Sequence, residues 1–201
     1  MTAPTSPIPV EFFFDPGCPF TWRTSRWLTE VADAGTATVT WRLMSLGVLN
    51  EGQDVPEKFR EPMRQGGRAL RALAAAQEHG GSEAVARLYT ALGTRRHEKG
   101  EASDDASIAA AVAEAGLPGS VAAAVDDERL DAVVRAEHEA SQAAVGDRAG
   151  SPVTALRGRG FFGPVVVPVP TGDAALELFE SVRLAAGVEG FSELKRARNS
   201  S

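Results

Sequence analysis

Residues 8–14, Ile-Pro-Val-Glu-Phe-Phe-Phe, form a nearly unbroken apolar run that stops at Asp15-Pro16-Gly17. A short run closed by a turn signal reads as a strand, and its near-continuous apolarity as one buried on both faces. A helix pattern follows at once. Phe20, Thr24, Trp27, Leu28 and Val31 fall at helical spacing, Arg23, Arg26 and Glu30 take the other face, and Gly35 marks the end. Residues 37–46 then alternate, with Val39, Trp41 and Leu43 on one side and Thr38, Thr40 and Arg42 on the other, which predicts a second strand. The opening is therefore a βαβ unit with a right-handed crossover.

The middle, 56–146, is rich in alanine and reads as helical throughout. Leu70, Leu73, Ala74 and Gln77 repeat at i, i+3, i+4, i+7, as do Val85, Leu88, Tyr89 and Leu92, and again Ile108, Ala111, Val112 and Ala115. A further helix over 127–145 carries Leu130, Val133, Val134 and Val145 and stops at Gly146. Gly80-Gly81, Gly100 and Leu117-Pro118-Gly119 punctuate these segments. Arg95-Arg96-His97 reads as a helix end exposed to water.

The chain then returns to mixed α/β. Val153–Leu156 reads as a strand, Gly158-Arg159-Gly160 as a turn, and Phe161–Val169 as a strand that Pro164 and Pro168 push to a sheet edge. Thr171 is the expected N-cap of a last helix with Asp173 in its first turn, Leu176, Phe179 and Val182 as its stripe and Gly187 as its close. Lys195–Ser201 is a polar tail expected to fray. The flanks, 1–55 and 147–201, together make a small α/β domain, with 56–146 as a helical insertion.

Composition removes several classes of function. Lys and Arg total 21 against 27 Asp and Glu, a net charge of -6, which weighs against nucleic-acid binding. No apolar run reaches the length of a membrane span, and Met1–Pro7 carries no basic region of a secretory signal, so a cytoplasmic protein is expected. One cysteine, Cys18, excludes an intrachain disulfide and a multi-cysteine metal site, and the three histidines are scattered, so no metal is expected. Neither a Gly-x-Gly-x-x-Gly stretch nor a P-loop occurs, so no nucleotide cofactor is expected.

The chemistry points to Phe14-Asp15-Pro16-Gly17-Cys18-Pro19-Phe20-Thr21-Trp22. Pro19 suits the first position of a helix, which makes Cys18 its N-cap. Its sulfur then lies near the free amides of residues 20 and 21, and amides and dipole together favour a thiolate near neutral pH. Thr21 is placed to donate its hydroxyl to the sulfur. An inert core cysteine is the plain alternative. Phe20 and Trp22 suit either a substrate surface or the core, and Asn50 either the cleft or a loop cap. Gly150-Ser151-Pro152-Val153 opens the second α/β half with a candidate cis-proline.

These pieces together carry a resemblance. Cys18-Pro19-Phe20-Thr21 after a strand, a helical insertion, then Ser151-Pro152 opening a ββα half, resemble the DsbA-like branch of the thioredoxin superfamily. Phe13-Phe14-Asp15-Pro16-x-Cys18-Pro19-x-x-Trp22-x-Thr24-Ser25-Arg26-Trp27, Ser45-Leu46-Gly47-Val48-Leu49-Asn50-Glu51-Gly52 and Phe161-Phe162-Gly163-Pro164-Val165 resemble the mycothiol-dependent nitroreductases of actinobacteria. The resemblance implies a DsbA-like thioredoxin fold, a central mixed sheet with a large helical insertion. It implies a thiol-disulfide oxidoreductase with Cys18 as catalytic residue, Pro152 as the superfamily's cis-proline, and Ser151 offering backbone hydrogen bonds to a bound thiol. Pro19, Phe20, Thr21, Trp22 and Asn50 are the remaining candidates for thiol or substrate binding. The implied co-substrate is mycothiol, and the implied partners are that small thiol and a small-molecule or disulfide substrate; a homodimer stays open.

One departure matters. A dithiol motif would place its second cysteine at position 21, where this chain has Thr21, so a mixed disulfide on Cys18 must be resolved by a second small thiol. Two alternatives remain: a kappa-class glutathione transferase or hydroxychromene-carboxylate isomerase type of enzyme, where serine commonly serves, and a non-catalytic binding module on the same fold.

Overall fold

The structure, a computed structural model, describes residues 6–197. The leader reading for Met1–Pro7 and the frayed tail expected for Lys195–Ser201 thus fall partly outside the described residues. Four strands form one sheet in the order β2-β1-β3-β4. β1 (Ile8–Phe14) pairs parallel with β2 (Ala37–Leu43) and antiparallel with β3 (Val153–Leu156), which pairs antiparallel with the edge strand β4 (Arg159–Phe162). The crossover between the parallel pair is α1 (Pro19–Asp33).

The apolar run of β1 is explained by its two buried faces. Phe12 and Phe14 enter a large core with Trp27, Leu28, Leu73, Tyr89 and Phe179, while Phe13 enters a small one with Met44, Ala149, Val153 and Ala155. The alternation follows the strand's period of two. Phe14 stacks on Tyr89 with ring centroids 3.8 Å apart, which ties the sheet to the helical insertion.

Between β2 and β3 the chain is helical: α2 (Leu46–Leu49), α3 (Glu57–Gly93), α4 (Asp105–Glu114), α5 (Gly119–Ala123) and α6 (Asp131–Val145). α3 breaks where expected, at Gly80-Gly81; Gly81 has φ 61 and ψ -156, a backbone that side-chain-bearing residues rarely adopt. α6 ends at Gly146 in a left-handed C-cap, also as expected.

The last segment corrects the sequence reading at three points. The β3–β4 turn is Arg157-Gly158, both at positive φ, with Leu156 opposite Arg159, so Arg159 and Gly160 belong to the strand. A two-residue hairpin turn matches strand twist when both residues take positive φ. The strand ends at Phe162, not Val169. Beyond it one backbone bond remains, from Gly163 N to the Pro152 carbonyl at 2.9 Å, and side chains take the carbonyls: Thr154 donates to that of Gly163 at 2.6 Å and Thr24 to that of Pro164 at 2.8 Å. Pro164 and Pro168 have no N–H to offer a neighbouring strand. Finally, α7 (Asp173–Ala186) is capped by Gly172 rather than Thr171. α7 packs on α1, where the Trp27 indole N–H donates to the Ala175 carbonyl at 2.9 Å.

Candidate active site

The end of β1, the start of α1 and the loop before β3 meet at one point. Cys18 is the N-cap of α1 in an extended conformation with Pro19 at the first helical position, as the sequence predicts. Its amide donates to the Asp15 carbonyl at 3.1 Å, closing the turn. The Asp15 carboxylate holds that turn from below, accepting from Gly17 N at 2.8 Å and from Leu46 N at 2.7 Å. It is buried, and burial raises its pKa while the two amides pull it back.

The Ser151–Pro152 bond is cis, and Ser151 touches Cys18 from the other side. The Cys18 thiol donates to the Ser151 carbonyl, with Sγ 3.7 Å from the oxygen. The Ser151 hydroxyl accepts from Asp15 N at 2.9 Å and lies 2.7 Å from the Thr21 hydroxyl. Because a backbone N–H can only donate, Ser151 Oγ accepts there and is free to donate to Thr21. Thr21 can then turn its own proton to the sulfur.

The expected thiolate near neutral pH is corrected here. Cys18 is only 9% exposed, and burial pushes its thiol up. The Thr21 hydroxyl and the amides of Thr21 and Phe20 pull it down, Asp15 repels the anion, and burial prevails. Helix-terminal amides are present as the sequence implies; what the sequence does not display is the cover over them. Thr21→Val removes the first of the favourable bonds, so the pH profile of Cys18 alkylation should move to higher pH, and Thr21→Ser should restore it. Identical profiles for Thr21→Val and the wild type would mean that the hydroxyl does not reach the sulfur.

The other candidates separate. Pro19 is exposed and Phe20 half-buried beside the sulfur's helix turn. Trp22 is 4% exposed and belongs to the core rather than to a substrate surface. It meets Tyr89 edge-on at 5.6 Å and stacks on His97 at 5.9 Å. Asn50 caps α2, donating from Nδ2 to the Leu46 carbonyl at 2.7 Å.

His97 is the residue the sequence reading missed. Thr94–Glu98 is a π-helical turn in which Arg96 is exposed as expected, but it aims His97 inward, where Nε2 lies 2.8 Å from the Pro16 carbonyl. A carbonyl only accepts, so Nε2 carries the proton; burial keeps the ring's pKa below its ordinary value. Gly93 lets this happen: a Cβ there would stand 2.1 Å from the Trp22 ring. The one signal in the sequence was a glycine just before Thr-Arg-Arg-His.

Among the described residues no cluster of three His, Cys, Asp or Glu side chains could hold a metal, and no helix is long and apolar enough to cross a membrane. A family model described as "Rv2466c-like: mycothiol-dependent nitroreductase Rv2466c" matches residues 17–196. The chain belongs to this Rv2466c-like family. The family is one of thiol-dependent oxidoreductases. A similar protein is Rv2286c of Mycobacterium tuberculosis, an uncharacterised protein 32% identical over 192 residues, covering 94% of this Rv2466c-like chain and 82% of that protein. Two solved structures show the DsbA-like thioredoxin fold. A probable DsbA oxidoreductase from Streptomyces coelicolor is 20% identical over 94% of each chain, with a TM-score of 0.61. The cytosolic disulfide reductase DsbM from Pseudomonas aeruginosa, solved with GSH, is 17% identical over 88% of this chain and 100% of that one, with a TM-score of 0.58.

Proposed function

We propose that the protein is a cytoplasmic, mycothiol-dependent reductase that works through the single sulfur of Cys18. The observation that carries this reading is a lone thiol at a helix N-terminus, against the loop before a cis-proline, with a hydroxyl, Thr21, where a dithiol enzyme has its second sulfur. The family description, which names mycothiol, supports that choice of thiol. The DsbM structure with GSH supports it, as a small thiol on the same fold.

In the resting arrangement the Cys18 proton is held by the Ser151 carbonyl. A substrate that lays a donor on that carbonyl displaces the thiol from it, and the Thr21 hydroxyl then takes over as partner of the sulfur. The thiolate attacks one sulfur of a disulfide; the S–S bond breaks, a Cys18 mixed disulfide forms, and the other half leaves as thiolate. A mycothiol thiolate attacks the mixed disulfide, returning Cys18 and leaving with the adduct as a disulfide. With a nitro compound, Cys18 and one mycothiol give up two electrons and two protons, forming the same mixed disulfide while the nitro group becomes nitroso and one water leaves.

Thr21→Cys tests the monothiol step. Wild type treated with oxidised mycothiol should carry one adduct by intact mass and need added thiol to lose it. The variant should expel the adduct unaided and end with an 18–21 disulfide. A wild type that forms no adduct, or sheds it without added thiol, sinks the reading.

A further inference from the structure

A cavity of about 270 Å³ lies beside the Pro16–Gly17 turn, between α3, the π-helical turn and the start of α4. Its polar wall is Glu61, Gln65, Arg96, Ser103, Asp104 and Ser107, and Ala69 and Leu92 form its apolar part. Two of the polar groups are left without partners. Gln65 donates from Nε2 to Glu61 at 2.7 Å, while its carboxamide oxygen is buried and has no hydrogen-bond partner among the described residues. A buried acceptor in that condition costs free energy until a donor arrives. Arg96 makes no ion pair or hydrogen bond among the described residues, although its neighbour Arg95 holds both Glu101 and Glu114.

The mixture of groups narrows the ligand. An anion would meet Arg96 but also Glu61 and Asp104, and a cation would meet the reverse. A neutral, hydroxyl-rich body suits both signs: its O–H groups donate to the carboxylates, and to the Gln65 oxygen once that side chain turns toward the cavity, and its oxygens accept from Arg96 and the serines. The cavity is also tied to the sulfur. Gly17, exposed in its wall, precedes Cys18 directly, and His97, next to Arg96, grips the Pro16 carbonyl.

We propose that this cavity seats the polyhydroxylated body of the small thiol, a sugar-bearing thiol whose sulfur end passes over Gly17 to Cys18. The inference rests on the thiol-dependent reading above and adds where that thiol is recognised. The test compares Arg96→Met and Gln65→Leu with wild type, using mycothiol as the varied thiol. A second measurement follows the alkylation of Cys18 by iodoacetamide, which is uncharged, carries no polyol and reports that the site is folded. The KM for mycothiol should rise about tenfold in each variant, the effect of losing a hydrogen bond to a charged or buried polar group. kcat and the iodoacetamide rate should hold. If mycothiol turns over the wild type and neither variant changes its KM, the cavity proposal alone fails. If the wild type uses glutathione and not mycothiol, the reading beneath it fails and takes the cavity proposal with it.

Discussion

Cys18→Ser is expected to abolish thiol-dependent turnover, to the rate found without protein. The chain has no other sulfur nucleophile, since Cys18 is its one cysteine. Serine fits the same N-cap and can donate to the Ser151 carbonyl as the thiol does, so the fold should persist. An alcohol near neutral pH is a far poorer nucleophile than a thiolate and forms no disulfide. Intact mass should show a mycothiol adduct on wild type and none on the variant, in step with the activity assay. Full activity in the variant would falsify the mechanism. A non-catalytic binding module would instead show no turnover in either protein.

Gly93→Ala should cost the most stability for the least chemistry. The added methyl would lie 2.1 Å from two carbons of the Trp22 ring, where contact distances near 4 Å are comfortable. The indole has little room to retreat, with Tyr89 on its edge, His97 on its face and the Arg26 guanidinium 4.0 Å from the ring centroid. Overpacking of this kind costs about 3 kcal/mol, which for a chain of this size lowers the melting temperature by about 6–12 °C. Combining the change with Trp22→Leu should recover part of the loss by vacating the space. A melting temperature within a degree of wild type would show that the ring moves freely. Because the same indole supports His97, and His97 holds Pro16, the Cys18 alkylation rate should change as well.

Much of this architecture was legible because local signals agreed. β1, α1 and β2 follow from the Phe12-Phe13-Phe14 run, the Asp15-Pro16-Gly17 turn and the helical stripe from Phe20 to Val31. Cys18 as N-cap followed from Pro19. The cis bond before Pro152 was reached through resemblance; composition alone would not single it out. What escaped reading depends on contacts between distant segments. Phe161–Val169 looks like a strand by residue type, but prolines and the side chains of Thr24 and Thr154 take its backbone elsewhere. Trp22 looks as exposed as Phe20 until Gly93 closes over it. The direction of the Cys18 shift is set by burial, which no local pattern displays. His97 was unreadable because a π-helical turn changes which side a residue faces, and periodicity counting assumes the regular one.

The bond between Cys18 and the Ser151 carbonyl spans 133 residues of chain. During synthesis at ordinary bacterial rates, the sulfur therefore precedes its cover by about 7–27 s. For that interval the nascent chain presents a thiol without the Ser151 carbonyl, the Ser151 hydroxyl or the completed sheet. The α1 segment and Thr21 are synthesised by then, but a helix of this length gains most of its stability from packing that is still to come. The cover over Cys18 is thus completed late, only when the loop before β3 has been made and docks.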